Sequence, residues 1–169
     1  MMPTTRTRRR TQAKRTNTKA AGLFSFPSTP ANWAPLTPVT FLTRTAAVHP
    51  DHVAAIHGAR RITYRELEER ARRLASALAR RGIKPGQTVS VMLPNVPGML
   101  DAHFGVPMLG GVLNTINTRL DARTVAYILE HAESKALITD REYAAVVGPA
   151  LKQLGRRLLV VDVDDPLHE

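Results

Sequence analysis

From residue 39 onward the sequence predicts an α/β fold, a mostly parallel sheet with helices on both faces. Apolar runs of strand length alternate four times with segments of helical periodicity, joined by short connections. That alternation implies right-handed crossovers between parallel strands. The runs are continuous, as expected where both faces of a sheet are covered. The third observation is the charge. Residues 1–50 hold eight Lys/Arg and no acid (+8), and residues 51–169 hold sixteen Lys/Arg and fourteen Asp/Glu (+2), so the net +10 belongs to a basic head on a near-neutral body.

Each element has a local cause. Val39, Phe41, Leu42 and Ala46 make a short helical stripe closed by His49-Pro50. Val53 to His57 and Arg60 to Thr63 read as a hairpin around Gly58-Ala59. Thr63 and Glu66 have capping-box spacing for a helix whose inner face is Leu67, Ala71, Leu74, Ala75 and Leu78. Gly82 stops it. A strand is expected over Thr88 to Leu93. Asn95 is expected to cap a largely apolar helix, with Pro97 in its first turn and Pro107 kinking it. Gly110-Gly111 ends that helix, and Val112 to Ile116 reads as a strand. Asp121 caps a helix with Val125, Ile128, Leu129 and Ala132 inward. Lys135 to Thr139 is a strand. Asp140 is expected to cap a helix ended by Gly155, and Leu158 to Val163 closes the series.

Residues 1–38 lack either periodicity, and Pro27, Pro30, Pro35 and Pro38 punctuate the end of the segment. It is expected to be a disordered extension, with residues 39–169 forming the folded part. Its basic start allows three readings: a solvated extension, a transit peptide, or attachment to nucleic acid or anionic lipid. No apolar h-region follows it, which argues against a secretory signal.

With 169 residues, 43% of them hydrophobic, the chain can bury one real core. No apolar run approaches the ~18–20 residues of a membrane span. Cysteine is absent, which excludes disulfides, cysteine-ligated zinc and thiol nucleophiles, and a cytoplasmic setting is expected. Neither common phosphate-loop pattern nor a G-x-S-x-G elbow occurs. Ser76 falls within the capped helix and reads as structural. His49, His52 and His57 have no acid or cysteine to complete a metal set. His103 reads as a packing histidine and His131 as a helix-end partner of the dipole. Asp162, Asp164 and Asp165 read as a solvated turn before Pro166. Gly110-Gly111 is the only close glycine pair and serves a helix stop. The residues alone describe an α/β domain with no visible catalytic constellation.

Ordered motifs add to this. Arg61-Ile62-Thr63-Tyr64-Arg65-Glu66-Leu67 comes first, then Val91-Met92-Leu93-Pro94-Asn95. Gly111-Val112-Leu113-Asn114-Thr115-Ile116-Asn117-Thr118-Arg119-Leu120 follows, then Leu137-Ile138-Thr139-Asp140. Over residues 36 to 169 the series resembles the opening of the AMP-forming acyl-activating enzymes, in particular the short- and medium-chain acyl-CoA synthetases. The resemblance implies the front part of the N-terminal domain of such a ligase. It also implies a small carboxylate as substrate, with ATP, Mg²⁺ and CoA as cofactors of the full-length enzyme. The phosphate loop ending in Pro-Lys-Gly, the later acidic motifs and the mobile lysine of that family lie beyond the matched stretch. The chain alone is therefore expected to be inactive and to bind no cofactor tightly. By the same resemblance Asn117, Arg119 and Arg141 lie on loops that approach the CoA nucleotide, and arginine suits a phosphate. The alternative is a noncatalytic, flavodoxin-like binding module whose basic head attracts nucleic acid.

Overall fold

A computed structural model describes residues 34–164, and all of its elements fall within residues 36–169. The expectation for residues 1–33 lies outside the described residues, as does Asp165. Five helices and six strands follow in chain order: α1 Pro38–Val48, β1 Val53–His57, β2 Arg60–Thr63, α2 Tyr64–Arg80, β3 Thr88–Met92 and α3 Pro97–Met108. Then come β4 Val112–Thr115, α4 Ala122–His131, β5 Ala136–Asp140, a 3₁₀ turn Arg141–Tyr143, α5 Ala144–Leu154 and β6 Leu159–Val163.

β1 and β2 pair antiparallel across the Gly58 turn, with a register shift between Val53 and Ala55. The other strands form one parallel sheet in the order β4-β3-β5-β6. That order begins as a flavodoxin-like sheet does, with the chain reversing its direction of growth between β3 and β5.

The pleat divides the core. Val89 and Val91 of β3 and Ala136 and Ile138 of β5 join Leu78 of α2 and Ala102 and Val106 of α3 in one cluster. Met92 and Leu137 join Val125 and Leu129 of α4 and Val147 and Ala150 of α5 in another. Helices thus cover both faces. A third cluster, Leu42, Ile62, Leu67 and Ala71, seats α1 and the hairpin on α2. The continuous apolar pattern means double burial only for the inner strands: β5 is buried throughout, whereas edge strands β4 and β6 are half-exposed.

Two helix starts differ from expectation. The N-cap of α3 is Val96, with no side-chain cap bond, rather than Asn95. Pro97 at the first helical position fixes φ, and its missing N–H needs no cap. The helix ends at Met108, one residue beyond Pro107. Asp140 caps the 3₁₀ turn through Oδ1, which accepts from Glu142 N at 3.0 Å, so α5 begins four residues later at Ala144 without a side-chain cap. The capping box at Thr63 and Glu66 is present, as is the left-handed stop at Gly155, φ 66°.

Candidate functional site at the carboxyl ends of the strands

In an open parallel sheet, ligands bind outside the carboxyl ends of the strands, where successive connections leave on opposite faces. Here α3 follows β3 onto one face and α5 follows β5 onto the other. The loops at this end carry the residues singled out from sequence. Asn117 turns the chain after β4: its Oδ1 accepts from Arg119 N at 2.9 Å, an Asx turn that holds the loop. Asn117 and Arg119 are exposed. The Arg119 side chain has no salt bridge among the described residues, which leaves its five donors open to an anion.

Arg141 stands in the 3₁₀ turn after β5. Its Nη1 lies 3.3 Å from Asp164 Oδ2, with both side chains about 70% exposed. Such an exposed pair is worth about 0–1 kcal/mol, so the guanidinium stays available. Burial holds the Tyr143 phenol above its ordinary value of 10.0, and the charges of Glu142 and Asp140 push the same way, against a lowering influence of the nearby Thr118 side chain.

Asp140 was not singled out as a site residue, yet it is only 6% exposed at this sheet end. Its Oδ2 is sealed from solvent without a protein hydrogen-bond partner. Sequence marks Asp140 only as a cap; the orphaned oxygen follows from the strands around it.

Behind the site runs a buried polar contact. Ser90 Oγ and Ser134 Oγ lie 2.6 Å apart, and Asn114 Nδ2 donates to Ser90 Oγ at 2.9 Å. Arg156 Nη1 donates to Ser134 O at 2.8 Å and Nη2 to Leu129 O at 3.2 Å, satisfying carbonyls at the end of α4.

The histidines lie elsewhere. His49 and His52 stack with ring centroids 5.1 Å apart, and His131 stacks on Tyr127 at 5.6 Å. His103 is exposed rather than packed. Its Nδ1 donates to Met99 O at 2.8 Å, one turn back on its own helix.

Known proteins share the fold. The profile of the family described as AMP-binding enzyme matches residues 42–169. The peroxisomal acetate/butyrate–CoA ligase AAE7 of Arabidopsis thaliana is 48% identical over 135 residues, covering 80% of this chain and 24% of that protein. The acetate–CoA ligase CCL3 of Humulus lupulus is 44% identical over 130 residues, covering 77% and 23%. Among solved structures, a benzoate CoA ligase from Burkholderia xenovorans superimposes with a TM-score of 0.69 at 31% identity, covering 76% of this chain and 26% of that one. A fatty acyl CoA synthetase of Mycobacterium tuberculosis gives a TM-score of 0.70 at 29% identity, covering 74% and 26%. The chain thus spans about a quarter of the length of these relatives. On the match across residues 42–169, this chain belongs to the AMP-binding enzyme family.

Proposed function

We propose that this chain supplies the opening part of the N-terminal domain of an ATP-dependent, AMP-forming carboxylate–CoA ligase. The single observation that carries the reading is 48% identity to a CoA ligase over 135 residues. In the proposed reaction a carboxylate oxygen attacks the α-phosphorus of ATP, pyrophosphate leaves, and the acyl-adenylate then passes its acyl group to the CoA thiol with release of AMP. Mg²⁺ neutralises phosphate charge in the first step when bound. Short carboxylates are the proposed substrates, because the two plant relatives at 44–48% identity are named for acetate or butyrate.

Within that scheme the residues in hand bind and position. Arg119 offers its guanidinium to a phosphate of the CoA nucleotide. Arg141 offers a second, partly answered by Asp164. Asn117 holds Arg119's backbone in the turn that presents it. No helix among the described residues is long and apolar enough to cross a membrane. A cytoplasmic setting suits a chain without cysteine; a peroxisomal one is suggested by the AAE7 name, and imaging a fluorescent fusion separates the two.

The test is carboxylate-dependent ATP–pyrophosphate exchange. Residues 1–169 alone are expected to give none. Joined to the remaining polypeptide of the Arabidopsis acetate/butyrate ligase, they are expected to restore exchange with acetate or butyrate. A folded chimera without exchange on any short carboxylate overturns the reading. In an active chimera, Arg119→Ala is expected to raise the KM for CoA about tenfold to a hundredfold with exchange unchanged, the loss of a hydrogen bond to a charged group worth about 1.5–3 kcal/mol. An unchanged KM removes Arg119 from the CoA site.

A further inference from the structure

The positive charge of the described residues collects on one stretch. Residues 60–84 hold nine Lys/Arg and three Glu (+6), whereas residues 34–59 hold one of each sign and residues 85–164 hold seven Lys/Arg and eight Asp/Glu (−1). From Arg70 to Leu100 no acid occurs. Arg70 is held by Asp101 of α3. The remaining excess lies on the carboxyl half of α2 and the turn after it, where Arg72, Arg73, Arg80, Arg81 and Lys84 are exposed. α2 leads into the amino end of β3, so this basic surface lies at the end of the sheet opposite the candidate site.

Little in the chain occupies these cations. Arg72 and Arg73 meet Glu68 and Glu69 one turn back, and the Arg73 contact is 3.6 Å long between exposed side chains. Such pairs are weak and screened by salt, so a phosphate can replace them. Arg80 Nη1 donates to Ser76 Oγ at 2.9 Å, which uses one of its five donors. Arg81 and Lys84 form no salt bridge among the described residues. Between the cations the exposed side chains are small, Ser76, Ala77 and Ala79, so the longer basic side chains stand clear of the surface. None of the large apolar side chains exposed among the described residues lies on α2. A bilayer contact needs an apolar face to bury, and single strands are held by aromatic side chains on which bases stack. This surface presents neither. What remains is recognition of phosphate charge, for which arginine is the better suited cation.

We propose that Arg72, Arg73, Arg80, Arg81 and Lys84 bind the phosphate backbone of double-stranded nucleic acid without reading its sequence. From Arg72 to Arg81 the helix rises about 13.5 Å at ~1.5 Å per residue, the length of about four phosphates of one duplex strand at ~3.4 Å each. The proposal does not rest on the ligase reading, because it uses neither the loops nor the residues assigned to CoA.

The test titrates residues 1–169 into a fluorescein-labelled DNA duplex of about 20 base pairs at several salt concentrations, read by anisotropy. The basic head is a second source of attraction, so every variant is also made in a background where all Lys/Arg of residues 1–38 are glutamine. In that background the duplex is expected to bind still. Each phosphate contact adds about 0.9 to the slope of log K against log salt. Glutamine at the five α2 positions is expected to lower that slope by about 3–4 and to weaken binding about tenfold or more at about 50 mM salt, with or without the head charges. Circular dichroism checks the fold; should the five-residue variant unfold, Arg80→Gln with Arg81→Gln serves, with a slope lower by about 1–2. Loss of all binding on neutralising the head alone overturns the proposal, as does a slope that the α2 substitutions leave unchanged. Binding to vesicles containing phosphatidylserine but not to the duplex overturns it in favour of a lipid surface.

Discussion

Gly105→Ala tests the close approach of two helices. α2 and α3 pack against each other, and a Cβ at Gly105 would lie 2.9 Å from Ala71 O and 3.0 Å from Leu74 Cβ and Cδ2. Carbon atoms prefer about 3.5–4.0 Å, so α3 must retreat by roughly 0.5–1 Å. Leu74 can turn aside, but the Ala71 carbonyl is fixed in the backbone of α2. Retreat also loosens Ala102 and Val106, both fully buried on the same helix. Overpacking of this kind costs about 1–3 kcal/mol. Alanine returns about 1 kcal/mol of helix propensity. The net expectation is a loss of up to about 2 kcal/mol, or a Tm lower by up to about 8 °C for a domain of this size. Urea and thermal unfolding followed by circular dichroism measure it. Adding Leu74→Ala is expected to relieve only part of the clash, because the carbonyl remains. A variant stabilised by about 1 kcal/mol would show propensity winning over packing and would refute the close contact of the two helices.

Other expectations follow from caps and ion pairs. Thr63→Ala removes the capping hydroxyl at the start of α2 and is expected to cost about 1 kcal/mol in urea unfolding. The carboxylates of Glu66 and Asp121 are held below their usual 4.5 and 3.8, in each case chiefly by a backbone hydrogen bond, from Thr63 and Thr124 respectively. A depressed carboxylate stabilises fully above its usual value and loses that contribution as pH falls through the folded value. Melting from about pH 6 to about pH 2 is therefore expected to weaken from near 4.5 downward, and Glu66→Gln to flatten the upper part of the curve; a curve unaltered by that variant contradicts the assignment. Arg70→Met leaves Asp101, only 13% exposed, without its partner and is expected to cost about 1–3 kcal/mol, with Asp101→Leu recovering part of it in the double variant.

Features decided within a few residues were legible in the sequence. Thr63 and Glu66 sit three apart, so their mutual capping needs no knowledge of the fold. The Gly155 stop and the Gly58 turn are equally local. Asn95 misled because a good capping residue precedes a helix that, started by proline, uses none. Asp140 did cap, but it capped a short turn, since nothing local distinguishes one turn of 3₁₀ from the start of α5. Exposure of β4 and β6 depends on strand order, which is set by crossovers between distant segments. Asn117, Arg119 and Arg141 fall on loops at one end of the sheet, after β4 and β5. The Arg141–Asp164 pair joins residues more than 20 positions apart, and no spacing rule reaches that far.

The hydroxyls of Ser90 and Ser134, with the amide of Asn114, work as an alignment mark. Ser90 stands opposite Asn114 in the β3–β4 ladder, and Ser134 lies just before β5. In a sheet of valines and leucines many offsets bury similar apolar area, so hydrophobicity distinguishes them poorly. Sliding β4 by one residue turns Asn114 to the opposite face and leaves Ser90 without its amide partner. Each polar group so stranded costs about 1–3 kcal/mol. Three small polar side chains thus penalise misaligned sheets that valine and leucine alone would tolerate, and confer uniqueness of pairing where the apolar residues confer cohesion.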